Sequence, residues 1–226
     1  MQTVREQCSA EPDHQEKDFL TLEPKPVYDF FKRVFDLVMA TFALVVLSPV
    51  FLAVAIAIKH EDGGKVFYSQ TRLTKGGKAF KMFKFRSMCM DADKKLEELM
   101  KYNEMKGPAF KMKEDPRITK VGDFIRKTSI DELPQLVNII MGDMSIIGPR
   151  PPLPREVEQY TPYQMHRLDV KTGLACYHEC QGRSNETDFD KWVEADLKYI
   201  RERSMLTDLK IIWWTIKVVL TGTGAV

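Results

Sequence analysis

The sequence has little cysteine, little net charge and no segment typical of a signal peptide. Its four cysteines are too few and too scattered for a disulfide framework, which indicates a reducing, cytosolic setting. The net charge is only +2, from 34 basic and 32 acidic residues, which argues against a protein that coats nucleic acid. No basic segment leads directly into an apolar core near the N-terminus, so we expect no signal peptide.

Apolar residues are scarce in residues 1–27, which are polar, rich in acidic residues and interrupted by Pro12, Pro24 and Pro26. This composition predicts a disordered N-terminal tail. The rest of the chain divides into an apolar segment, residues 28–60, and a domain that holds the remaining motifs, residues 61–226.

Charge is absent from the 22 residues 37–58, which reach the length of about 20 that a helix needs to cross a bilayer. Basic residues flank both ends of this run, so the positive-inside rule favours both ends on the cytoplasmic side. Ser48 and Pro49 interrupt it. Proline lacks a backbone N–H and breaks or kinks a helix, and the Ser48 hydroxyl can satisfy the freed backbone groups. The residues alone permit either a kinked single-pass anchor or a re-entrant pair of half-helices.

Acidic residues are absent from residues 65–86, where seven basic residues occur. Such a segment suits phosphate groups on a ligand or on anionic lipids, although a solvated basic surface explains it equally well. The same region predicts a β-hairpin with strands at residues 66–68 and 80–85, because a Lys-Gly-Gly-Lys turn separates them.

The remaining pattern predicts a helix-dominated α+β fold. An apolar face at helical spacing begins at Leu133 and stops at Gly142, and further helices are expected at residues 91–101, 160–170 and 189–203. Residues 208–220 are strongly apolar and contain two tryptophans, which is typical of an amphipathic helix in the membrane interface or of a core helix.

Two adjacent carboxylates, Asp131 and Glu132, lie just before the helix at 133–141. Ser129 and Glu132 match a capping box, and Pro134 is tolerable only in a first helical turn, so we expect both carboxylates near the positive end of a helix. Capping does not need Asp131. A carboxylate beside bound cations can attack phosphorus, and two carboxylates beside a diphosphate can hold Mg²⁺.

Basic side chains would have to surround such a site. Lys84, Arg117, Arg126, Lys127 and Arg150 are the candidates, and the proline-rich residues 143–154 would hold Arg150 in a fixed direction. Cys176 and Cys180 could form half of a zinc site. No second ligand pair has matching spacing, so packing thiols are the better interpretation.

The segment Asp-Glu-Leu-Pro-Gln-Leu from Asp131, followed by Gly-Pro-Arg-Pro from Gly148, resembles the signature of the bacterial sugar transferases. These monotopic phosphoglycosyl transferases initiate exopolysaccharide, capsule, O-antigen and glycoprotein glycan assembly. The resemblance runs from about Tyr28 to the C-terminus. It includes Lys-Arg-x-Phe-Asp from Lys32, Ser48-Pro49, Lys-Phe-Arg-Ser-Met from Lys84, and Asp-Pro-Arg-Ile-Thr from Asp115.

The resemblance implies transfer of a sugar 1-phosphate from a UDP-sugar to polyprenyl (undecaprenyl) phosphate, with release of UMP and a requirement for Mg²⁺. Asp131 would be the nucleophile that forms a covalent phosphosugar intermediate, and Glu132 would coordinate metal with it or move a proton. The implied substrate-binding residues are Lys84, Arg86, Arg117, Arg126, Arg150 and Arg183.

The Ser48-Pro49 match implies that the membrane helix is re-entrant, so both of its ends lie on the cytoplasmic face of the inner membrane. Membrane lipid is then a partner together with the two substrates, and nucleic acid is not. A homodimer and a monomer both stay open.

One segment departs from the family pattern. Within residues 172–183, His178 and Glu179 replace the usual Trp-Gln, which indicates either an unusual donor sugar or a diverged packing loop. Two other functions stay open at this point: a non-catalytic membrane scaffold for glycan assembly, and a nucleotide-sugar hydrolase.

Overall fold

The computed structural model describes residues 23–104, 108–110, 112, 114–177 and 188–221. The predicted tail up to residue 22, and His178, Glu179, Cys180 and Arg183, lie outside the described residues. The helices and strands are α1 Pro26–Val46, α2 Ser48–Asp62, β1 Phe67–Thr74, β2 Lys78–Phe85, α3 Ala92–Leu99, α4 Lys120–Lys127, α5 Gln135–Met141, β3 Ser145–Ile147, α6 Pro154–Val157, α7 Pro162–Met165, β4 Gly173–Ala175, α8 Phe189–Glu202 and α9 Met205–Thr221. The helix-dominated class predicted from the sequence is confirmed.

Helices α1 and α2 meet at Leu47 with a bend of 59°. The predicted break is therefore present, since Pro49 cannot donate a backbone hydrogen bond and the Ser48 hydroxyl donates to the Val45 carbonyl at 2.8 Å. Within the described residues no individual helix is long and apolar enough to cross a bilayer. This bent pair meets the length and composition criteria only when both halves are taken together.

Helices α1 and α2 each expose apolar side chains on one face and bury apolar side chains on the other. Phe30, Phe42, Val45, Leu52 and Ile56 are exposed, whereas Ala40, Val54 and Ile58 are buried. Helix α9 has the same character, with Ile211 buried and Leu209, Trp213 and Ile216 exposed. Neither α1 nor α9 is therefore enclosed by the rest of the protein.

The predicted hairpin is confirmed and is longer than expected. Strands β1 and β2 pair antiparallel from Phe67↔Phe85 to Thr74↔Lys78. The turn between them places Gly76 and Gly77 at φ of 69° and 75°, values that glycine adopts without steric cost.

Helix α5 covers the edge of β2 that β1 leaves unpaired. The Asn138 side chain accepts a hydrogen bond from the Phe83 amide at 3.0 Å and donates one to the Lys81 carbonyl at 2.7 Å. One buried amide side chain thus takes the place of a third strand. Leu136 and Ile139 of the same helix pack against Ala40 of α1, which makes α1 part of this core.

Polar side chains attach α1 to the rest of the domain. Asp36, which is buried, accepts a hydrogen bond from the Ile146 amide at 3.1 Å. Arg33 donates to the carbonyls of Ile139 and Ile140 near the end of α5, at 2.6 and 2.9 Å. Lys32 pairs with the buried Asp208 of α9 at 2.9 Å. The Lys-Arg-x-Phe-Asp segment is therefore a docking element.

Candidate active site

The two adjacent carboxylates meet Lys84, which lies near the end of β2. The Lys84 ammonium is 2.5 Å from Glu132 Oε1 and 3.7 Å from Asp131 Oδ2. Both carboxylates lie in a 3₁₀ turn, Ile130–Glu132, that precedes α5. The charges of Lys84, Asp131 and Glu132 therefore interact strongly with one another.

The predicted capping box is wrong. Ser129 has a left-handed backbone with φ of 55° and makes no side-chain capping bond, and α5 starts at Gln135 with Pro134 before it. The Glu132 carboxylate is bonded to Lys84 instead of reaching back to a helix amide. A charged partner from β2 competes for this side chain and forms the stronger bond.

The two carboxylates have opposite pKa shifts. Asp131 is buried, and this burial together with the charge of Glu132 raises its pKa, although Lys84 and Arg126 act in the other direction. Burial also acts to raise the pKa of Glu132, but the charges of Lys84, Arg150 and Arg72 outweigh it and lower that pKa. Of the two carboxylates, Glu132 thus loses its proton more readily and Asp131 holds a proton more readily.

An open cleft of about 320 Å³ adjoins the pair. Three cationic side chains face one carboxylate, that of Glu132, among largely apolar neighbours, which favours an anionic ligand. Asp131 is not part of the lining. The lining residues are Arg72, Met82, Lys84, Glu132, Gln135, Arg150, Pro151, Gly173, Leu174 and Cys176.

Two glycines bring the Arg150 loop into position. Gly148 donates to the Ala175 carbonyl at 3.1 Å, and Gly173 donates to the Pro149 carbonyl at 2.9 Å. A Cβ on Gly173 would lie 2.1 Å from the Gly148 nitrogen, so only glycine permits this approach. Arg150, two residues beyond Gly148, lies over the Trp192 ring at 5.9 Å.

Arg126 approaches Asp131 from α4. Its Nη1 is buried and has no hydrogen-bond partner among the described residues. The helix that carries it is attached to the end of α2, because the Glu61 carboxylate accepts from the amides of Lys120 and Val121 at 2.8 and 3.1 Å. The bent pair of helices thus helps to position a basic residue beside the acidic one.

Two predicted substrate-binding residues are not brought to the cleft. Arg86 is paired with Asp62 and donates to the Lys65 carbonyl, and the buried Arg117 is paired with Asp115 at 2.6 Å. Their guanidinium groups already have carboxylate partners, which favours structural roles. Lys127 pairs with Asp123 on the surface.

Arg72 is the principal cleft residue that the motifs did not identify. The hairpin register pairs Arg72 with Phe80 and Lys84 with Tyr68, so both basic residues lie on the same face of the hairpin. The shared face of Arg72 and Lys84 follows from the sequence only when the residues that pair across the hairpin are known, and the turn determines that pairing.

Asp131 and Glu132 fit a magnesium ion only if a ligand completes its coordination. The described residues contain no group of three or more His, Cys, Asp or Glu side chains that could hold a metal. Magnesium is commonly held by one or two carboxylates together with substrate phosphates and water. The donor set therefore suits a metal that arrives with a diphosphate.

The chain matches a family model described as "Bacterial sugar transferase" over residues 27–222. It is 46% identical to "Galactosyl transferase CpsE" of Streptococcus agalactiae serotype III (strain NEM316), over 86% of this chain and 43% of that protein. It is 40% identical to "Exopolysaccharide production protein ExoY" of Sinorhizobium fredii (strain NBRC 101917 / NGR234), over 89% of this chain and 90% of that protein.

A third relative is "UDP-glucose:undecaprenyl-phosphate glucose-1-phosphate transferase" of Escherichia coli (strain K12). The identity is 40%, over 84% of this chain and 42% of that protein. The chain thus spans nearly the whole of the ExoY protein but less than half of CpsE and of the Escherichia coli transferase.

Proposed function

The chain belongs to the bacterial sugar transferase family, and from this premise we propose that it transfers a sugar 1-phosphate from a UDP-sugar to polyprenyl phosphate and releases UMP. The observation that carries the proposal is the contact of Lys84 with both carboxylates beside a cationic cleft. The product would be the first lipid-linked intermediate of a bacterial glycan.

Asp131 is the proposed nucleophile. In its ionised form, one carboxylate oxygen attacks the phosphorus that carries the sugar. The bond from that phosphorus to the bridging oxygen breaks, and the bridging oxygen leaves with UMP. A phosphate oxygen of the polyprenyl phosphate then attacks the same phosphorus and breaks its bond to Asp131, which restores the free carboxylate.

Lys84 and Glu132 prepare this step. The Lys84 ammonium offsets the negative charge of both carboxylates, so that a phosphate can approach them. Mg²⁺, held by Asp131 and Glu132 together with the diphosphate, would supply further neutralisation of charge on the leaving group. The cationic lining of the cleft, formed by Arg72, Lys84 and Arg150, suits the diphosphate of the donor.

The exposed apolar faces of α1, α2 and α9 support a membrane-attached enzyme. In our proposal α1 and α2 form a re-entrant hairpin in the inner membrane, α9 lies in the interface, and the cleft faces the cytoplasm. The bend of 59° and the basic residues at both ends of the pair support this arrangement.

The decisive assay offers radiolabelled UDP-sugars with undecaprenyl phosphate and Mg²⁺ to the native protein, to Asp131→Asn and to Glu132→Gln. We expect a lipid-linked product from the native protein and none from Asp131→Asn. UMP release that does not depend on the lipid would instead identify a hydrolase. No turnover with any donor would favour a scaffold.

A second measurement separates the two carboxylates, because Glu132 and not Asp131 lines the cleft. Without acceptor, the native protein and Glu132→Gln should gain the mass of one phosphosugar, and Asp131→Asn should not. An adduct that persists in Asp131→Asn would assign the nucleophile to Glu132.

Topology is tested with the exposed positions Asp29 and His60, near the outer ends of α1 and α2. A membrane-impermeant thiol reagent should label Asp29→Cys and His60→Cys from the cytoplasmic side only. Labelling from opposite sides would refute the re-entrant hairpin.

A further inference from the structure

Arg72 is a cleft residue with an incomplete set of partners. It lies on β1, on the hairpin face that also carries Met82 and Lys84, and all three line the cleft. Its Nη1 donates to the Pro151 carbonyl and its Nη2 to Gln70 Oε1, both at 2.9 Å. Its Nε is buried and has no partner among the described residues.

Arg72 and Arg150 are held close together although their charges repel. The hydrogen bond from Arg72 to the Pro151 carbonyl is reinforced by one from the Leu73 amide to the Pro152 carbonyl at 3.0 Å. Strand β1 is thereby attached to the loop that carries Arg150. Burial, and then the charge of Arg150, lower the pKa of Arg72 to about 10. An anion bound between the two guanidinium groups would offset the repulsion between their charges.

We propose that Arg72, together with Arg150, binds the diphosphate of the nucleotide-sugar donor. The inference rests on the proposed function and deepens it by naming a specificity residue for the diphosphate. A planar guanidinium presents N–H groups in a rigid fork, of which the Nε–H of Arg72 has no partner among the described residues, and such a fork matches phosphate oxygens in a way that an ammonium group cannot. Gln70 and the Pro151 carbonyl orient that plane before any ligand arrives, so little side-chain entropy is lost on binding.

A purely structural role is the competing explanation, because Arg72 also attaches β1 to the Arg150 loop. The two roles differ in what a substitution changes. If Arg72 is purely structural, its substitution lowers stability and weakens the binding of every ligand of the cleft alike. If Arg72 binds the diphosphate, its substitution weakens the binding of UDP but not that of uridine.

The test uses the full-length chain in nanodiscs and isothermal titration with inorganic pyrophosphate, UDP and uridine. We expect Arg72→Gln to lower the affinity for pyrophosphate and UDP by about 10- to 100-fold, which is typical of a lost hydrogen bond to a charged group. Uridine binding should be unchanged. Arg72→Lys should recover only part of the loss, since it restores the charge but not the fork.

Lys81→Gln is the matched control, because Lys81 is exposed, lies on the neighbouring strand and carries the same charge. We expect less than about a 2-fold change in pyrophosphate affinity, as for a screened surface charge. Thermal unfolding checks that each variant is folded. If Arg72→Gln does not fold, the comparison is made with Arg72→Lys instead.

Unchanged pyrophosphate affinity in Arg72→Gln would overturn the inference, and so would an equal loss in Lys81→Gln or an equal loss for uridine. Failure of the proposed function has a different signature, namely the absence of lipid-linked product from the native protein. In that event the titrations still decide whether Arg72 binds a diphosphate.

Discussion

Asn138 should be among the most sensitive residues outside the cleft. It is fully buried, and its side-chain amide pairs with both the Phe83 amide and the Lys81 carbonyl of β2. In Asn138→Ala both backbone groups lose their partner at a place that water cannot reach. Each unsatisfied buried group costs about 1–3 kcal/mol, so we expect a loss of about 2–6 kcal/mol in the free energy of unfolding.

The same substitution should also reduce catalysis. Lys84 follows Phe83 directly, so a β2 edge that moves away from α5 also moves the ammonium away from Asp131 and Glu132. A displacement of about 1 Å in a catalytic group can lower the rate by about 100-fold. Asn138→Asp should be no better than Asn138→Ala, because it keeps an acceptor for Phe83 but turns a second oxygen towards the Lys81 carbonyl.

Equilibrium unfolding in detergent, followed by circular dichroism, measures the loss of stability, and lipid-linked product formation measures the rate. Met141→Ala is the control, since Met141 lies on the same helix and is 64% exposed. It should cost less than about 0.5 kcal/mol. If Asn138→Ala costs no more than Met141→Ala, the amide is not what holds β2 against α5.

Further predictions concern the acidic pair, the Arg150 loop and the bend. Because the pKa of Asp131 is raised and the proposed mechanism needs its ionised form, the acid limb of kcat/KM against pH should lie above the value of about 3.9 of an ordinary aspartate. Lys84→Met removes a charge that lowers this pKa, so the same profile should move to still higher pH and its plateau should fall at least about 10-fold. Gly173→Ala places a methyl group 2.1 Å from the Gly148 nitrogen and should cost about 1–3 kcal/mol in thermal or chemical unfolding. Pro49→Ala restores a backbone donor at the bend, and thiol labelling at both outer ends should then detect a fraction of single-pass molecules.

Local signals in the sequence were sufficient for several elements. The hairpin followed from its turn glycines and the bend from Pro49. The helix expected at residues 189–203 is α8, which ends one residue earlier, at Glu202. The buried face of helix α5 was predicted less accurately. Its predicted apolar face included Leu136, which is buried, but also Met141, which is exposed. Asn138 and Ile139 lay outside that face and are buried, because this short helix packs against both α1 and β2.

Parts of the site depended on contacts distant in sequence. The motifs that contain Glu132 and Arg150 were expected to form one site, and in the structure both residues line the same cleft. The resemblance implied that Arg86 binds substrate, whereas in the structure Arg86 pairs with Asp62 on α2, 24 residues earlier in the chain. No local pattern shows that such a basic residue is already neutralised.

The bond between Asp36 and Ile146 has a consequence for biogenesis. The two residues are 110 positions apart, so at about 5–20 residues per second the ribosome needs roughly 5–20 s to complete the partner of this carboxylate. During that interval the apolar helix carries a carboxylate that has not yet reached its place in the fold. Stable membrane association should therefore follow the folding of the domain that contains Ile146, and chains truncated before residue 146 should be extracted from membranes more easily than the full 226-residue chain.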